Sequence, residues 1–247
     1  MSHPKDLEHK QKEVTAMFNR VAPRYDFLNT LLSFGLHRYW RKKLISWLPN
    51  HHNSLRLLDV ATGSGDVLLE ARRCLTSYQE FYGVDISPAM LEQAQKKINQ
   101  TKHKISRQNK VRWLQGDARS LDLPDQYFDA LTISFGLRNV QGRAQALREF
   151  ARVLKPGGHL LILEFFQPKG LLGSIFWLYF RVFLPVIAGL FAQKQDYAYL
   201  PHSVKNFPSE QAIGMECEQV GFVRQRKYRF FLGSCVLLAF VKGETTS

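Results

Sequence analysis

The chain has 247 residues, 45% of them hydrophobic, enough for one α/β domain of generous size with its own core, two small domains being the weaker alternative. Its formal net charge of +13 implies a polyanionic partner, either nucleic acid or an anionic lipid surface, and charge alone does not choose between them. The three cysteines, Cys74, Cys217 and Cys235, are too few and too scattered for a disulfide framework or a C-x-x-C metal site, so no metal is expected and a reducing cytoplasm fits best.

The first residues, MSHPKDLEHKQKEV, have no apolar core and include acidic side chains, which excludes a secretory signal and argues against a transit peptide. Val14, Met17, Phe18 and Val21 then form a helical stripe, and Leu44, Ile45 and Leu48 continue a later helix, so residues 1–50 are expected to be a helical cap. From Leu55 short apolar runs alternate with segments of helical period: LRLLDV, then Asp66 to Leu75; FYGVDI, then Pro88 to Ile98; VRWLQGDA; FDALTISF, then Ala144 to Leu154. Such alternation predicts a parallel sheet with crossover helices. Leu91, Ala94 and Ile98 are placed on one helix face, and Ala144, Leu147, Ala151 and Leu154 on another. Ser87 followed by Pro88 is the pattern of an N-cap and a first-turn proline. The run from Lys96 to Arg112 is basic without an acid, and reads equally as a solvated loop or as a binding patch.

KPGGHLLILEF predicts a turn and a fifth strand, and GFVRQRKYRFFLGSCVLLAFV predicts two strands around Gly233. Between them, Leu171 to Phe191 is apolar over a membrane-spanning length but is interrupted by Arg181 and Pro185. A buried arginine is costly in lipid, so the preferred reading is a broken amphipathic lid over a greasy substrate or at the bilayer interface. One domain is therefore expected, with a cap (1–50), a cofactor-binding core (51–165), a lid insertion (166–208) and a C-terminal helix and strand hairpin (209–247).

The segment LLDVATGSGD sets a glycine-rich turn between a first strand and a helix, so that backbone N–H groups approach a ligand at the helix N-terminus. Its pattern, Gly63-x-Gly65-x-x-Leu68, lacks the third glycine of a dinucleotide fingerprint. Asp85 ends the second strand about 20 residues on, where a carboxylate accepts from ribose hydroxyls or merely caps a helix. Asp117 and Ala118 end the third strand, and Ser134 the fourth. Together these residues resemble the S-adenosylmethionine site of class I methyltransferases, a Rossmann-like fold with a mostly parallel seven-stranded sheet. That resemblance implies S-adenosylmethionine as cofactor, with Thr62, Gly63 and Gly65 at its methionine end, Asp85 on the ribose, Asp117 and Ala118 on the adenine, and Ser134 at the end of strand four.

The end of strand four reads ISFGLRNV, without the Pro-Pro-Tyr of amino-group methylases, and no cysteine lies near it to attack a pyrimidine ring. YDFLNTLLSFGLHRYW (Tyr25 to Trp40), SFGLRN (Ser134 to Asn139), RVLKPGGHLLILEF (Arg152 to Phe165) and QDYAYLPHSVKNFP (Gln195 to Pro208) resemble the menaquinone/ubiquinone biosynthesis C-methyltransferases. Leu28 stands where that family usually has methionine, and Phe166 where it usually has serine. The resemblance implies methylation of a ring carbon of a prenylated quinol, most simply demethylmenaquinol, with a polyprenyl methoxybenzoquinol as a second substrate. Ring carbon becomes nucleophilic when the neighbouring phenol, which titrates near 10, loses its proton. Arg138 is the first candidate to favour the phenolate electrostatically, and a guanidinium does not itself accept the proton. His37 is a candidate base, with Tyr25 and Asp26 nearby, and Asn139 a candidate to hold a ring oxygen. Each has a structural alternative: Tyr25, His37 and Trp40 as pins of the cap, Arg138 as a buried salt bridge, Asn139 as a turn former.

Under this reading the partners are a prenylated quinol and, peripherally, a membrane surface; nucleic acid is not expected, and a homodimer through the lid would cover its apolar face. The rivals are an RNA or protein methyltransferase, favoured by aromatics such as Trp113 and Tyr228 among basic residues, and a binding module that kept the fold without catalysis.

Overall fold

The computed structural model describes residues 4–50, 54–101, 109–168, 178, 201–230 and 233–244. The chain opens with helix α1 (Pro4–Val21), a 3-10 turn (Ala22–Arg24), α2 (Tyr25–Leu32) and α3 (Leu36–Ile45). Strands and helices then alternate as β1 (Leu55–Val60), α4 (Asp66–Cys74), β2 (Tyr78–Asp85), α5 (Pro88–Thr101), β3 (Lys110–Gln115), β4 (Phe128–Ser134), α6 (Arg143–Val153) and β5 (Leu154–Phe165). Helical residues 201–206 are followed by α7 (Glu210–Gln219), β6 (Phe222–Phe230) and β7 (Cys235–Lys242). The seven strands form one sheet in the order β3-β2-β1-β4-β5-β7-β6. Neighbours from β3 to β5 run parallel, whereas β7 is antiparallel to both β5 and β6.

Period-2 alternation in buried strands places successive apolar residues on opposite faces. Leu58 of β1, Leu131 of β4 and Ile162 of β5 meet Leu147 and Phe150 of α6 on one face, while Leu57, Ala130 and Leu161 meet Leu68 of α4 and Leu44 of α3 on the other. Helix α3 thus belongs to the core: Trp40 lies 5.7 Å from the Phe165 ring and 6.0 Å from Phe135. The expected cap divides accordingly, with α1 and α2 over the strand ends and α3 on the sheet face.

Both helix faces keep most of the expected residues, Ala94 and Ile98 on α5 and Leu147, Ala151 and Leu154 along and just past α6, and add others that the spacing did not name. On α5 the buried residues are Met90, Ala94 and Ile98, with Leu91 half-buried; on α6 they are Ala146, Leu147, Phe150 and Val153, with Ala144 exposed. On α6 the large Phe150 side chain takes the contact with the sheet. Ser87 caps α5 as expected, its Oγ accepting from the Met90 amide at 3.2 Å, an arrangement worth about 1 kcal/mol. Phe166 is buried against Phe207 at 5.2 Å, so the position where a serine is usual is filled by core packing. The expected lid from Leu171 to Phe191 lies outside the described residues, apart from an exposed Leu178, and so does most of the loop in the basic run. Among the described residues no helix is long and apolar enough to cross a membrane.

Candidate active site

Strand order reverses between β1 and β4, and in open α/β sheets ligands bind in the crevice beyond the strand ends at such a switch point. An open cavity lies there, its empty space about 630 Å³ with the solvent at its mouth included. Val60, Ala61 and Gly63 wall it from β1, Asp85 and Ile86 from β2, Gly116, Asp117 and Ala118 from β3, and Ser134, Phe135 and Gly136 from β4. Asn139 and Val140 close one side, and Gln11, Val14 and Phe18 of α1 with Tyr25 of α2 cover it.

The turn after β1 owes its shape to backbone conformations that few side chains tolerate. Gly65 has φ +79°, and a Cβ there would stand 2.6 Å from Trp113 Cη2 and 2.9 Å from the Ala94 Cβ. Ala61 and Phe135, which follow β1 and β4, are both left-handed at φ 53° and 57°, and each lines the cavity. Such conformations in non-glycine residues gather where ligands are held. Asp59, buried beneath the turn, accepts from Thr62 Oγ1 and Thr132 Oγ1, each at 2.6 Å. Burial pushes its carboxyl up to about 7, against those two hydrogen bonds.

Asp85 accepts from the Gly63 amide at 2.7 Å and from the Ser87 amide at 2.9 Å, which ties the glycine turn to the end of β2. Burial raises its pKa, and the backbone donors oppose the rise. Burial also works upward on Asp117, but the Arg119 side chain and amide outweigh it and hold the carboxyl below its ordinary value. Arg119 meets both carboxylate oxygens, at 2.6 Å for the shortest contact. Ser134 differs from these: its Oγ is buried, lies at the cavity wall and has no hydrogen-bond partner among the described residues.

The cavity therefore brings together Gly63, Asp85, Asp117, Ala118 and Ser134 with Tyr25 and Asn139. Thr62 and Gly65 lie behind it, shaping the turn. Tyr25 sets its Cε1 3.6 Å from where a Gly63 Cβ would be, and burial raises its hydroxyl pKa while the Arg138 charge acts in the opposite direction. His37 is not a lining residue. It is buried on α3, with Ser33 Oγ 2.5 Å from Nδ1, and burial followed by the Arg41 charge pushes it down to about 4. Arg138 also lies outside the lining, its Nη1 donating at 2.6 Å to both Glu164 Oε1 and the Phe135 carbonyl. Asn139 donates from Nδ2 to that same carbonyl at 3.3 Å.

Sequence reasoning missed the contribution of α1. Gln11 Oε1 accepts from the Gln141 amide at 3.2 Å, and Asn19 Oδ1 accepts from Ser87 Oγ at 2.6 Å, so α1 is fastened over the strand ends by two polar contacts. A second fastening surrounds Lys97 of α5, whose Nζ reaches Ser64 Oγ at 2.8 Å, Asp66 Oδ1 at 2.6 Å and Asp26 Oδ2 at 2.5 Å. The amphipathic stripe of α1 was the available signal, although its spacing does not say what it faces.

Comparison with known proteins agrees with this architecture. A "SAM dependent methyltransferase" from Aquifex aeolicus superposes with a TM-score of 0.59 over 81% of this chain and 88% of its own, at 19% identity. A Haemonchus contortus phosphoethanolamine N-methyltransferase 2, solved with S-adenosyl-L-methionine, gives 0.62 over 83% of this chain and 53% of its own, at 15% identity. At these identities the likeness is one of fold, the class I methyltransferase fold. In sequence, the ubiquinone/menaquinone biosynthesis C-methyltransferase UbiE of Geotalea daltonii is 40% identical over 231 residues, 92% of this chain and 95% of the relative. The demethylmenaquinone methyltransferase of Deinococcus radiodurans is 40% identical over 226 residues, 91% and 90% of the two chains. The profile of the ubiE/COQ5 methyltransferase family matches residues 6–242, and the chain belongs to that family.

Proposed function

We propose that this enzyme transfers the methyl group of S-adenosylmethionine to a ring carbon of a prenylated quinol, demethylmenaquinol first and the polyprenyl methoxybenzoquinol second. The observation that carries the reading is the cavity at the ends of β1 to β4, covered by α1 and Tyr25, in a chain of this family.

The residues present suit the cofactor. Ser134 Oγ is a buried hydroxyl lacking a partner among the described residues, and such an atom is costly until a ligand supplies one. Asp85, at the end of β2, would hold the ribose hydroxyls, Asp117 and Ala118 the adenine, and Gly63 the methionine end. Bound there, S-adenosylmethionine supplies an electrophilic methyl carbon. This chain's own task is to orient the quinol, exclude water and favour the phenolate. Burial keeps the Tyr25 hydroxyl protonated at neutral pH, so Tyr25 acts as a hydrogen-bond donor to a quinol oxygen and not as the base. At about 4, His37 is too weak a base for a phenol, and its contact with Ser33 favours the pinning role on α3. With its charge answered by Glu164, Arg138 acts chiefly as a positioning residue that fixes the turn bearing Phe135 and Asn139, and its field reaches Tyr25. A prenylated substrate resides in a bilayer, so the enzyme works peripherally at a membrane, for which its basic charge is suited.

The test incubates purified protein with methyl-labelled S-adenosylmethionine and, in separate detergent micelles, reduced demethylmenaquinone and the demethylated benzoquinol, followed by mass analysis. Label in the naphthoquinone is expected; label in both makes the enzyme bifunctional. Label in neither, with cofactor binding established, overturns the reading in favour of another acceptor such as RNA.

A further inference from the structure

Helix α1 lies lengthwise over the cavity, and different neighbours mark the two ends of its contact. Phe18 meets the Tyr25 ring at 6.3 Å, and Tyr25 stands over the glycine turn, its Cε1 3.6 Å from where a Gly63 Cβ would be. Seven residues earlier, about 10 Å back along the helix axis, comes Gln11. Its Oε1 accepts from the Gln141 amide at 3.2 Å. The next residue, Gly142, adjoins Arg119, whose Cδ would lie 3.4 Å from a Cβ on that glycine, and Arg119 Nη2 holds the Asp117 carboxylate at 2.6 Å. Gln145 Nε2 donates to the Arg119 carbonyl at 3.0 Å, so the start of α6 and the turn bearing Asp117 are joined. Glu8, one turn before Gln11 on α1, is near enough for its charge to act on Arg119. Gln11 therefore belongs to the Asp117 end of the cavity, and Phe18 to the Gly63 end.

A buried carboxamide is costly unless both of its polar atoms are used. Gln11 is only 9% exposed, and it lines the cavity. A backbone N–H is answered by the carboxamide oxygen and not by its nitrogen, so the Gln141 contact decides which way round the amide stands and turns the two Nε2 hydrogens away from Gln141. Nε2 donates to none of the described residues. The carboxylate at this end of the cavity, Asp117, is taken by Arg119. A ligand with an acceptor is what this donor lacks, and adenine supplies one. With its amino group given to Asp117 and the Ala118 amide at N1, the base still offers two acceptors, N3 and N7.

We propose that Gln11 is a cofactor-binding residue of this enzyme: Nε2 donates to one of those two ring nitrogens while Oε1 keeps the Gln141 amide, so that the covering helix contacts the base directly. The proposal rests on the reading of Asp117 and Ala118 as the adenine end. It gives α1 a second task beside covering the site, since the helix is tied down more firmly when adenine is present than when it is absent.

The experiment is titration calorimetry of the full chain and of its Gln11→Leu variant with three ligands: S-adenosylhomocysteine and its 3-deaza and 7-deaza analogues, in each of which a C–H replaces one ring nitrogen. The wild type should bind one of the two analogues about fivefold more weakly than the parent, which names the nitrogen used. Gln11→Leu should bind the parent about fivefold more weakly and that same analogue with no further loss. A variant that weakens all three ligands by one common factor shows Gln11 merely holding α1 in place and overturns the proposal. Wild-type affinity that is equal for the parent and both analogues overturns it too. Gln11→Glu keeps an acceptor for the Gln141 amide and, when ionised, has no donor; it takes the place of Gln11→Leu in the same cycle if thermal unfolding finds the leucine variant unfolded. Asp117→Ala, titrated with the parent ligand, separates the proposal from its premise. Unchanged affinity removes adenine from the Asp117 end and overturns both, whereas weakened affinity without coupling between Gln11 and either nitrogen overturns the proposal alone.

Discussion

Arg138 and Glu164 form an ion pair out of reach of solvent: Nη1 stands 2.6 Å from Oε1, and the two side chains are 9% and 0% exposed. The same carboxylate accepts from the Arg138 amide at 3.2 Å and the Phe165 amide at 2.7 Å, so it gathers the turn after β4 and the end of β5 into one unit.

Removing the arginine alone leaves a buried carboxylate without its counter-charge. Arg138→Ala should therefore lower stability by about 3–5 kcal/mol, measured by denaturant unfolding, and should largely abolish turnover. The double variant Arg138→Met/Glu164→Leu should recover most of the stability without recovering turnover. Normal turnover in either variant would remove Arg138 from any part in the reaction.

Ser134→Ala deletes a hydroxyl that has no partner among the described residues. Its effect should fall on the ligand: thermal stability unchanged or slightly raised without cofactor, and affinity for S-adenosylhomocysteine weakened about fivefold by titration calorimetry. Unchanged affinity would place the hydroxyl outside the cofactor's reach.

The carboxyl of Asp59 titrates at about 7 in the folded protein against an ordinary value of 3.8. Between those values the folded state holds a proton that the unfolded chain has released, so this group's contribution is complete below 3.8 and is lost as pH rises through about 7. The interval corresponds to a decline on the order of 4 kcal/mol. Asp59→Asn, which mimics the protonated form between Thr62 and Thr132, should flatten that slope in unfolding measurements from pH 4 to 8. A slope identical to wild type would assign the dependence to other groups.

A Cβ on Gly136 would lie 2.5 Å from the Cβ of Ala61, although the residue's φ of −106° is open to any amino acid. Gly136→Ala should therefore force the left-handed turns after β1 and β4 apart, costing about 1–3 kcal/mol and a larger share of cofactor affinity than of stability. Parallel calorimetry and thermal unfolding would show the split; equal and small effects would mean that the turns yield freely.

The sheet was legible in the sequence because most strands are short apolar runs closed by a distinctive turn, and because Asp85 and Ser134 end β2 and β4 while Asp117, expected to end β3, lies two residues beyond it. Helix faces were less so: on α6 the pattern Leu147–Ala151–Leu154 fits helical spacing as well as the observed Leu147–Phe150–Val153 does, and only the sheet decides. His37 and Arg138 sit in recognisable motifs, yet which way a side chain turns depends on partners remote in sequence, such as Glu164, 26 residues from Arg138. Gln11 at the cavity wall was further from reach, its contact with Gln141 spanning 130 residues.

The position of β7 between β5 and β6 has a consequence for how the molecule is made. Among the described residues the ladder bonds of β6 go to β7, so β6 leaves the ribosome before the strand that will hold it, and the outer edge of β5 stays open meanwhile. Residues Leu160 to Leu163, fully buried in the finished sheet, are exposed to mispairing during that interval. Pulse-labelling hydrogen exchange during refolding should find β6 and β7 gaining protection in a single step, after β1 and β4 have paired.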